Sequence, residues 1–250
     1  IENSYPLGPT AETLKDFYET GVRMAGPVHN GDNQFADAAS RGNRTWGGLS
    51  PLGREWVKEA NRLGILIDLS HASDETFDQV LALSTAPVVL SHSGPRALYD
   101  HPRNLDEARI KALAAKGGVI FVNSVFLAPF DSTPRTGISN EAVEAVSPRE
   151  QRHIGCEHGK LERFNPFNPV TFDRYMESLL HTLRLVGPNH VGIGMDWDGG
   201  GGLIGMPDVS GLPRITAALK KAGYSDADVE KIWSGNLLRV MEQAQAGAAQ

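Results

Sequence analysis

The sequence predicts an α/β protein of the (β/α)8 TIM-type barrel class, on three observations. Short apolar runs alternate with amphipathic segments along most of the 250 residues. The runs are almost free of polar interruptions, as strands covered on both faces require. Three of them end in a side chain able to do chemistry: His71, His92 and Asp196. In a parallel α/β barrel the carboxyl ends of the strands share one mouth, where sites assemble.

The elements follow in order. Thr10–Thr20 reads as a helix with Thr10 as N-cap and Leu14, Phe17 and Tyr18 on one face, ended by Gly21. Val22–Val28 is a short apolar segment closing on His29, and Gly31–Trp46 is a polar, glycine-bearing loop. Ser50–Leu63 opens with a capping Ser and a Pro at the first helical position, and Gly64 stops it. Ile65–Leu69 is the next strand and runs into Ser70-His71. Ser73–Ser84 is a helix, and Pro87–Leu90 a strand leading to Ser91-His92-Ser93. Asp106–Lys116 and Gly118–Asn123 repeat the pair, as do Phe172–Val186 and His190–Met195, the last ending in Asp196. Val209–Ala222 and Asp226–Ala244 are closing helices. Such alternation implies a parallel sheet with right-handed crossovers. Residues 127–169, rich in Pro, Arg, Glu and Asn, are too long for an ordinary connection. They read as an insertion over the barrel mouth, within a single domain spanning 1–250.

Composition narrows the function. Hydrophobic residues make up 40%, enough for one sizeable core. The net charge of -6, of mixed sign, disfavours nucleic acid and anionic membranes as partners. No apolar run approaches the roughly 20 residues of a membrane span. Cys156 is the one cysteine, so these residues form no disulfide among themselves. The opening Ile1-Glu2-Asn3 reads as the last step of a strand, so a longer natural polypeptide is expected.

Glu2, His71, His92 and Asp196 form the constellation that carries chemistry. Imidazoles with carboxylates are borderline donors suited to zinc. A pair of such ions can hold a hydroxide and polarise a carbonyl, and a carboxylate not tightly bound to metal can accept the proton. A histidine at a strand end is also a common hydrogen-bonded structural residue. The Gly199–Gly202 run could cradle a phosphate, so a phosphate-binding barrel competes. Neither a P-loop nor a dinucleotide fingerprint is present. His101 and His181 read as surface or packing residues, and His190 sits at the wrong end of its strand. His153, Cys156 and His158 lack the paired spacing of a metal cluster. Trp46 and Phe164 read as loop packing; Trp197 could equally wall a pocket.

Asn61-Arg62-Leu63-Gly64-Ile65-Leu66-Ile67-Asp68-Leu69-Ser70-His71 resembles a signature of the membrane (renal) dipeptidase family of zinc peptidases. Ser91-His92-Ser93, Arg103-Asn104, the run His190–Gly199 and Asn236-Leu237-Leu238-Arg239-Val240 resemble further motifs of that family, with Trp197 where it usually has Phe. Ile1-Glu2-Asn3 resembles its element ending an earlier strand. The resemblance implies a metal-dependent hydrolase barrel: a zinc dipeptidase hydrolysing small dipeptides through a metal-bridging hydroxide, with two zinc ions in the complete protein and tolerance for a D-residue at the C-terminal position. It also implies roles. Glu2 would bridge the metals, and His71 and His92 would hold the second. Asp196 would contact the bridging water and move its proton. His29 would hydrogen-bond the substrate carbonyl or the tetrahedral intermediate, and Arg103 would pair with the substrate carboxylate. A planar guanidinium suits that last task.

One departure stands out. The family's His-x-Asp pair on the first strand is absent near Ile1, and roughly two of the eight strands of such a barrel are missing. Taken alone, the chain is therefore expected to be metal-poor and inactive, its partner strands coming from a longer polypeptide or another chain. The family's habits favour a periplasmic or extracytoplasmic location and allow a homodimer. The alternative function is a catalytically inactive or non-peptidase member of the same fold, acting as a binding or tailoring protein.

Overall fold

A computed structural model describes residues 1–40, 44–129 and 170–248. The expected insertion thus lies outside the described residues except at 127–129, as do His153, Cys156, His158 and Phe164.

Among the described residues, five short strands run parallel and adjacent in sequence order. They are β1 (Met24–Ala25), β2 (Leu66–Ile67), β3 (Val89–Ser93), β4 (Val119–Val122) and β5 (Val191–Ile193). β1 pairs with β2, and β3 with β4 and β5. A parallel bridge from Asp68 to Val89 joins the two groups. Ile1 adds itself beside β1: its amino group donates to Met24 O and its carbonyl accepts from Gly26 N, both at 2.8 Å. That is the hydrogen-bond pattern of a parallel pair, and it places Glu2 at the carboxyl edge of the sheet.

The helices are α1 (Leu14–Glu19), α2 (Pro51–Leu63), α3 (Asp74–Leu83), α4 (Glu107–Ala115), α5 (Phe172–Val186), α6 (Leu212–Lys221), α7 (Asp226–Glu230) and α8 (Asn236–Ala246). Their starts follow the polar signals in the sequence. Ser50, Ser73, Asp106, Thr171 and Ser225 each accept a backbone N–H of the following turn, which satisfies a donor the helix itself cannot. Gly64 closes α2 at φ 71°, where a residue with a Cβ is strained.

Alternate strand residues face opposite ways, and each face has its own cover. Ile65, Ile67, Leu90, Ile120, Val122 and Val191 pack into the larger cluster with Trp56, Phe77, Ile110, Tyr175 and Leu179 of α2–α5. Burying each of the larger of these side chains contributes about 1.5–3 kcal/mol. Leu66, Val89, Val119 and Phe121 face the other way, onto Val240 and Ala244 of α8.

Several boundaries differ from expectation, among them the strands expected over Ile65–Leu69 and His190–Met195, which are shorter at Leu66–Ile67 and Val191–Ile193. Thr10 does not cap a helix; its hydroxyl accepts from Glu12 N, and tight bonds Leu14 N→Ala11 O and Lys15 N→Glu12 O delay α1 to Leu14. β3 lies further along than Pro87–Leu90, because Ser93 pairs with Val122, so His92 sits within the strand. Val209–Gly211 forms a 3-10 turn before α6. The single helix expected over Asp226–Ala244 is broken by a π-helical turn, Lys231–Gly235. That turn delivers the Asn236 amide to the carbonyls of Pro188 (2.7 Å) and Val191 (2.9 Å). No helix among the described residues is long and apolar enough to cross a membrane.

Candidate metal centre

Three segments bring donor atoms to one point at the carboxyl edge. Glu2 follows the segment beside β1, His71 lies in the turn after β2, and His92 is inside β3. His71 Nε2 stands 2.9 Å from Glu2 Oε1 and 2.9 Å from His92 Nε2, and His92 Nε2 stands 3.4 Å from the same oxygen. Tetrahedral zinc, with bonds of about 2.0–2.1 Å, holds its donors roughly 3.3 Å apart. Two imidazole nitrogens and a carboxylate oxygen at these spacings fit that ion in number, type and distance. His71 Nδ1 is buried without a hydrogen-bond partner, as befits a ring oriented for something other than its protein neighbours.

The electrostatics suit a cation. A hydrogen bond from His71 lowers Glu2 to a pKa of about 2, against the opposing effect of burial, so it is a carboxylate throughout the physiological range. Burial lowers His71 to about 4, so it is neutral and keeps a lone pair to give. His29 lies on the open side: its Nε2 is 3.7 Å from Glu2 Oε1, and its ring is tilted over His71 with centroids 4.2 Å apart.

Arg103 is 2% exposed, and its Nη2 lies 3.1 Å from His71 Nε2. Its Nε and Nη1 have no partner. Burial pulls its pKa down to about 10, opposed by Asp196, Asp68 and Glu2. A buried guanidinium with idle donors is costly unless an anion completes it. Asp196 follows β5 at φ 58°, a backbone conformation Asp tolerates better than most residues. Gly199 N and Gly201 N both donate to Asp196 O, and a Cβ at Gly199 would collide with the Asp196 carboxylate. Two amides of the glycine run are thereby turned inward. Burial raises the Asp196 pKa, His92 counters, Asp198 and Glu2 raise it further, and Arg103 opposes.

The other sequence candidates take ordinary places. His101 stacks on Phe126, with centroids 4.3 Å apart. His181 faces Glu107 at 3.2 Å, and His190 Nδ1 bonds Gly118 O at the opposite edge. Trp46 Nε1 donates to Asn33 O, tying down its loop. Trp197 packs against the core, its Nε1 buried and unbonded.

Sequence reasoning gave no role to Asp68, Ser70, Ser91 or Ser124. Asp68 and Ser91 link β2 to β3 through hydrogen bonds ending on the His92 ring. Ser124 Oγ reaches the carbonyls of Met195 and Gly201, beside Asp196. One signal was available: an aspartate inside the apolar run Ile65–Leu69 is a charge placed in a buried strand.

Fold and site together define a parallel α/β protein with a histidine–carboxylate cluster able to hold a metal ion at the carboxyl edge of its sheet, flanked by the buried Arg103 and the half-buried Asp196. Comparison with known proteins narrows this class. Residues 1–250 match the membrane dipeptidase family (peptidase family M19), and the chain belongs to that family. It is 35% identical over 242 residues to an uncharacterized dipeptidase of Schizosaccharomyces pombe, covering 96% of this chain and 51% of that protein. It is similar to the crystal structure of the probable dipeptidase PvdM from Pseudomonas aeruginosa, with TM-score 0.82, 33% identity, and 99% and 69% of the two chains covered. It also resembles a metallo peptidase from Rhodobacter sphaeroides liganded with a phosphinate mimic of the dipeptide L-Ala-D-Ala, with TM-score 0.71, 26% identity, and 94% and 60% covered. The chain spans about half the length of the curated relatives it matches.

Proposed function

We propose that this protein is a zinc-dependent dipeptidase, and that residues 1–250 form one domain contributing to a (β/α)8 barrel. The observation that carries the reading is the convergence of Glu2 Oε1, His71 Nε2 and His92 Nε2 within 3.4 Å of one another. These residues would hold zinc, with two ions expected in the complete site. Zinc there supplies Lewis acidity toward a carbonyl and makes a water nucleophilic near neutral pH.

The chain's own residues do the rest. Arg103 receives the carboxylate of a free dipeptide on its idle Nε and Nη1 donors; a charge-assisted pair out of water is strong and selects short substrates with a free C-terminus. His29, at the open side of Glu2, donates to the oxygen of the scissile carbonyl and stabilises the charge that develops there. Asp196 takes a proton from the attacking water and delivers it to the leaving amine. Its raised pKa favours holding that proton between the two steps. The dipeptide mimic bound by the Rhodobacter sphaeroides relative supports the substrate class and a D-residue at the second position.

In the full-length polypeptide, Asp196→Asn should keep its zinc while hydrolysis falls about 10²–10⁴-fold, the usual share of general acid–base catalysis. Metal analysis alongside dipeptide turnover checks this. A mutant that keeps most of its activity removes Asp196 from the mechanism. Wild-type protein without zinc removes the hydrolase reading and leaves a binding or tailoring role.

A further inference from the structure

A hydroxyl has one proton to give, and the hydroxyl protons of Ser70 and Ser91 beside His92 can be assigned. Asp68 is buried at the end of β2. Its Oδ1 accepts from Ser70 N (3.1 Å), Ser70 Oγ (2.7 Å) and Ser91 N (2.9 Å), and its Oδ2 from Ser91 Oγ (2.5 Å). An ionised carboxylate only accepts, so both serines spend their protons on Asp68. Ser70 Oγ, which also lies 3.1 Å from Ser91 Oγ, then accepts from His92 N at 3.0 Å; the shorter contacts to Asp68 take both hydroxyl protons. Ser91 Oγ stands 2.8 Å from His92 Nδ1 and can only accept there. The ring proton of His92 therefore sits on Nδ1, and its Nε2 presents a lone pair toward Glu2 and His71.

His71 has no such relay. Its Nδ1 is buried without a partner. Its Nε2 faces an acceptor, Glu2 Oε1 at 2.9 Å, and a donor, Arg103 Nη2 at 3.1 Å. The lone pair of His92 Nε2, 2.9 Å away, calls for a proton on His71 Nε2 in the metal-free protein.

We propose that Asp68 and Ser91 are positioning residues that lock His92 in its Nδ1–H tautomer, making it the preset donor of the pair, while His71 must shift its ring proton to Nδ1 before it can ligate. The inference rests on reading the cluster as a metal site. Outer hydrogen bonds of this kind fix the ring orientation and raise the basicity of a ligating imidazole.

The test is long-range proton–nitrogen NMR on metal-free, full-length protein carrying nitrogen-15 histidine, together with calorimetric titration with Zn²⁺. Wild-type His92 should show a protonated Nδ1. Ser91→Ala should lose that preference and bind Zn²⁺ about 10–100-fold more weakly, and Ser91→Thr, which keeps the hydroxyl, should recover most of the loss. Asp68→Asn should reverse the tautomer: the new amide donates to Ser91 Oγ, whose proton then turns to His92 Nδ1. A wild-type His92 protonated on Nε2, or a Ser91→Ala protein that binds Zn²⁺ as wild type does, overturns the relay and leaves the metal reading standing. Wild-type protein that binds no Zn²⁺ overturns the metal reading, and the relay's purpose with it, whatever the tautomer.

Discussion

The two edges of the sheet treat polar groups in opposite ways. At the carboxyl edge, Arg103 keeps two buried donors idle, and His71 Nδ1, Asn104 Oδ1, Asn123 Oδ1 and Trp197 Nε1 are buried without partners. At the amino edge the polar groups are spent. Asn236 donates to Pro188 O and Val191 O, Arg239 to Gly117 O and Asn189 O, and His190 bonds Gly118 O. A buried polar group without a partner costs about 1–3 kcal/mol. The carboxyl edge therefore carries unpaired buried groups at a cost in stability, whereas the polar groups named at the amino edge are paired and add to it. Substitutions at the two edges should move stability and binding independently.

The largest effect is expected at the Glu2–His71–His92 cluster. His71→Ala and His92→Ala should each weaken Zn²⁺ binding by more than the roughly 100-fold that loss of an outer hydrogen bond gives, as read by calorimetry. Binding within a few-fold of wild type would show that the carboxyl edge is not a metal site. Arg103→Met comes next and should split the two properties. The KM for a free-carboxylate dipeptide should rise about 100-fold, the cost of removing one partner of a buried charge pair. Thermal stability should hold or increase, because an underpartnered buried charge is replaced by an apolar side chain. A lower Tm would mean that the arginine belongs to the scaffold.

Asn236→Ala tests the other edge. It leaves two carbonyls without their donor and should lower unfolding free energy by about 2 kcal/mol in urea titration, with Zn²⁺ affinity unchanged. The smallest effect is expected at Asp106, the N-cap of α4. Burial raises its pKa, but the backbone N–H and guanidinium of Arg109 outweigh it and hold the carboxylate below its usual range. A depressed folded pKa gives stability that is present above the unfolded value of about 3.9 and is lost as pH falls through the folded value. Asp106→Asn should flatten the stability profile below about pH 4 and leave neutral pH nearly untouched. An unchanged acid limb would assign the loss to other carboxylates.

Much of this was legible in the sequence, for local reasons. Ser50-Pro51, Ser73 and Asp106 announce helix starts through bonds made within one turn, and the apolar runs before His71 and His92 announce strands by composition. What escaped depends on partners distant in sequence. Nothing near His92 says that Ser93 pairs with Val122 and draws the strand past the histidine. Nothing near Gly235 says that Asn236 must reach Pro188. Arg103 was nameable as a candidate through a family motif, but its burial and idle donors are properties of the fold. Asp68 was visible as an odd charge in an apolar run; its connection to His92 passes through Ser91, 23 positions away.

The π-helical turn Lys231–Gly235 divides the closing segment between two loyalties. Val229 before it and Ile232 within it sink into the larger cluster; after it, Val240 and Ala244 sink into the smaller one. The last helix therefore cannot peel away as a loose end, because lifting it uncovers one layer directly and unseats its neighbour through the turn. Amide exchange along α8 should accordingly approach the slowest rates in the molecule, a cooperative unit fastening both sides of the sheet at once.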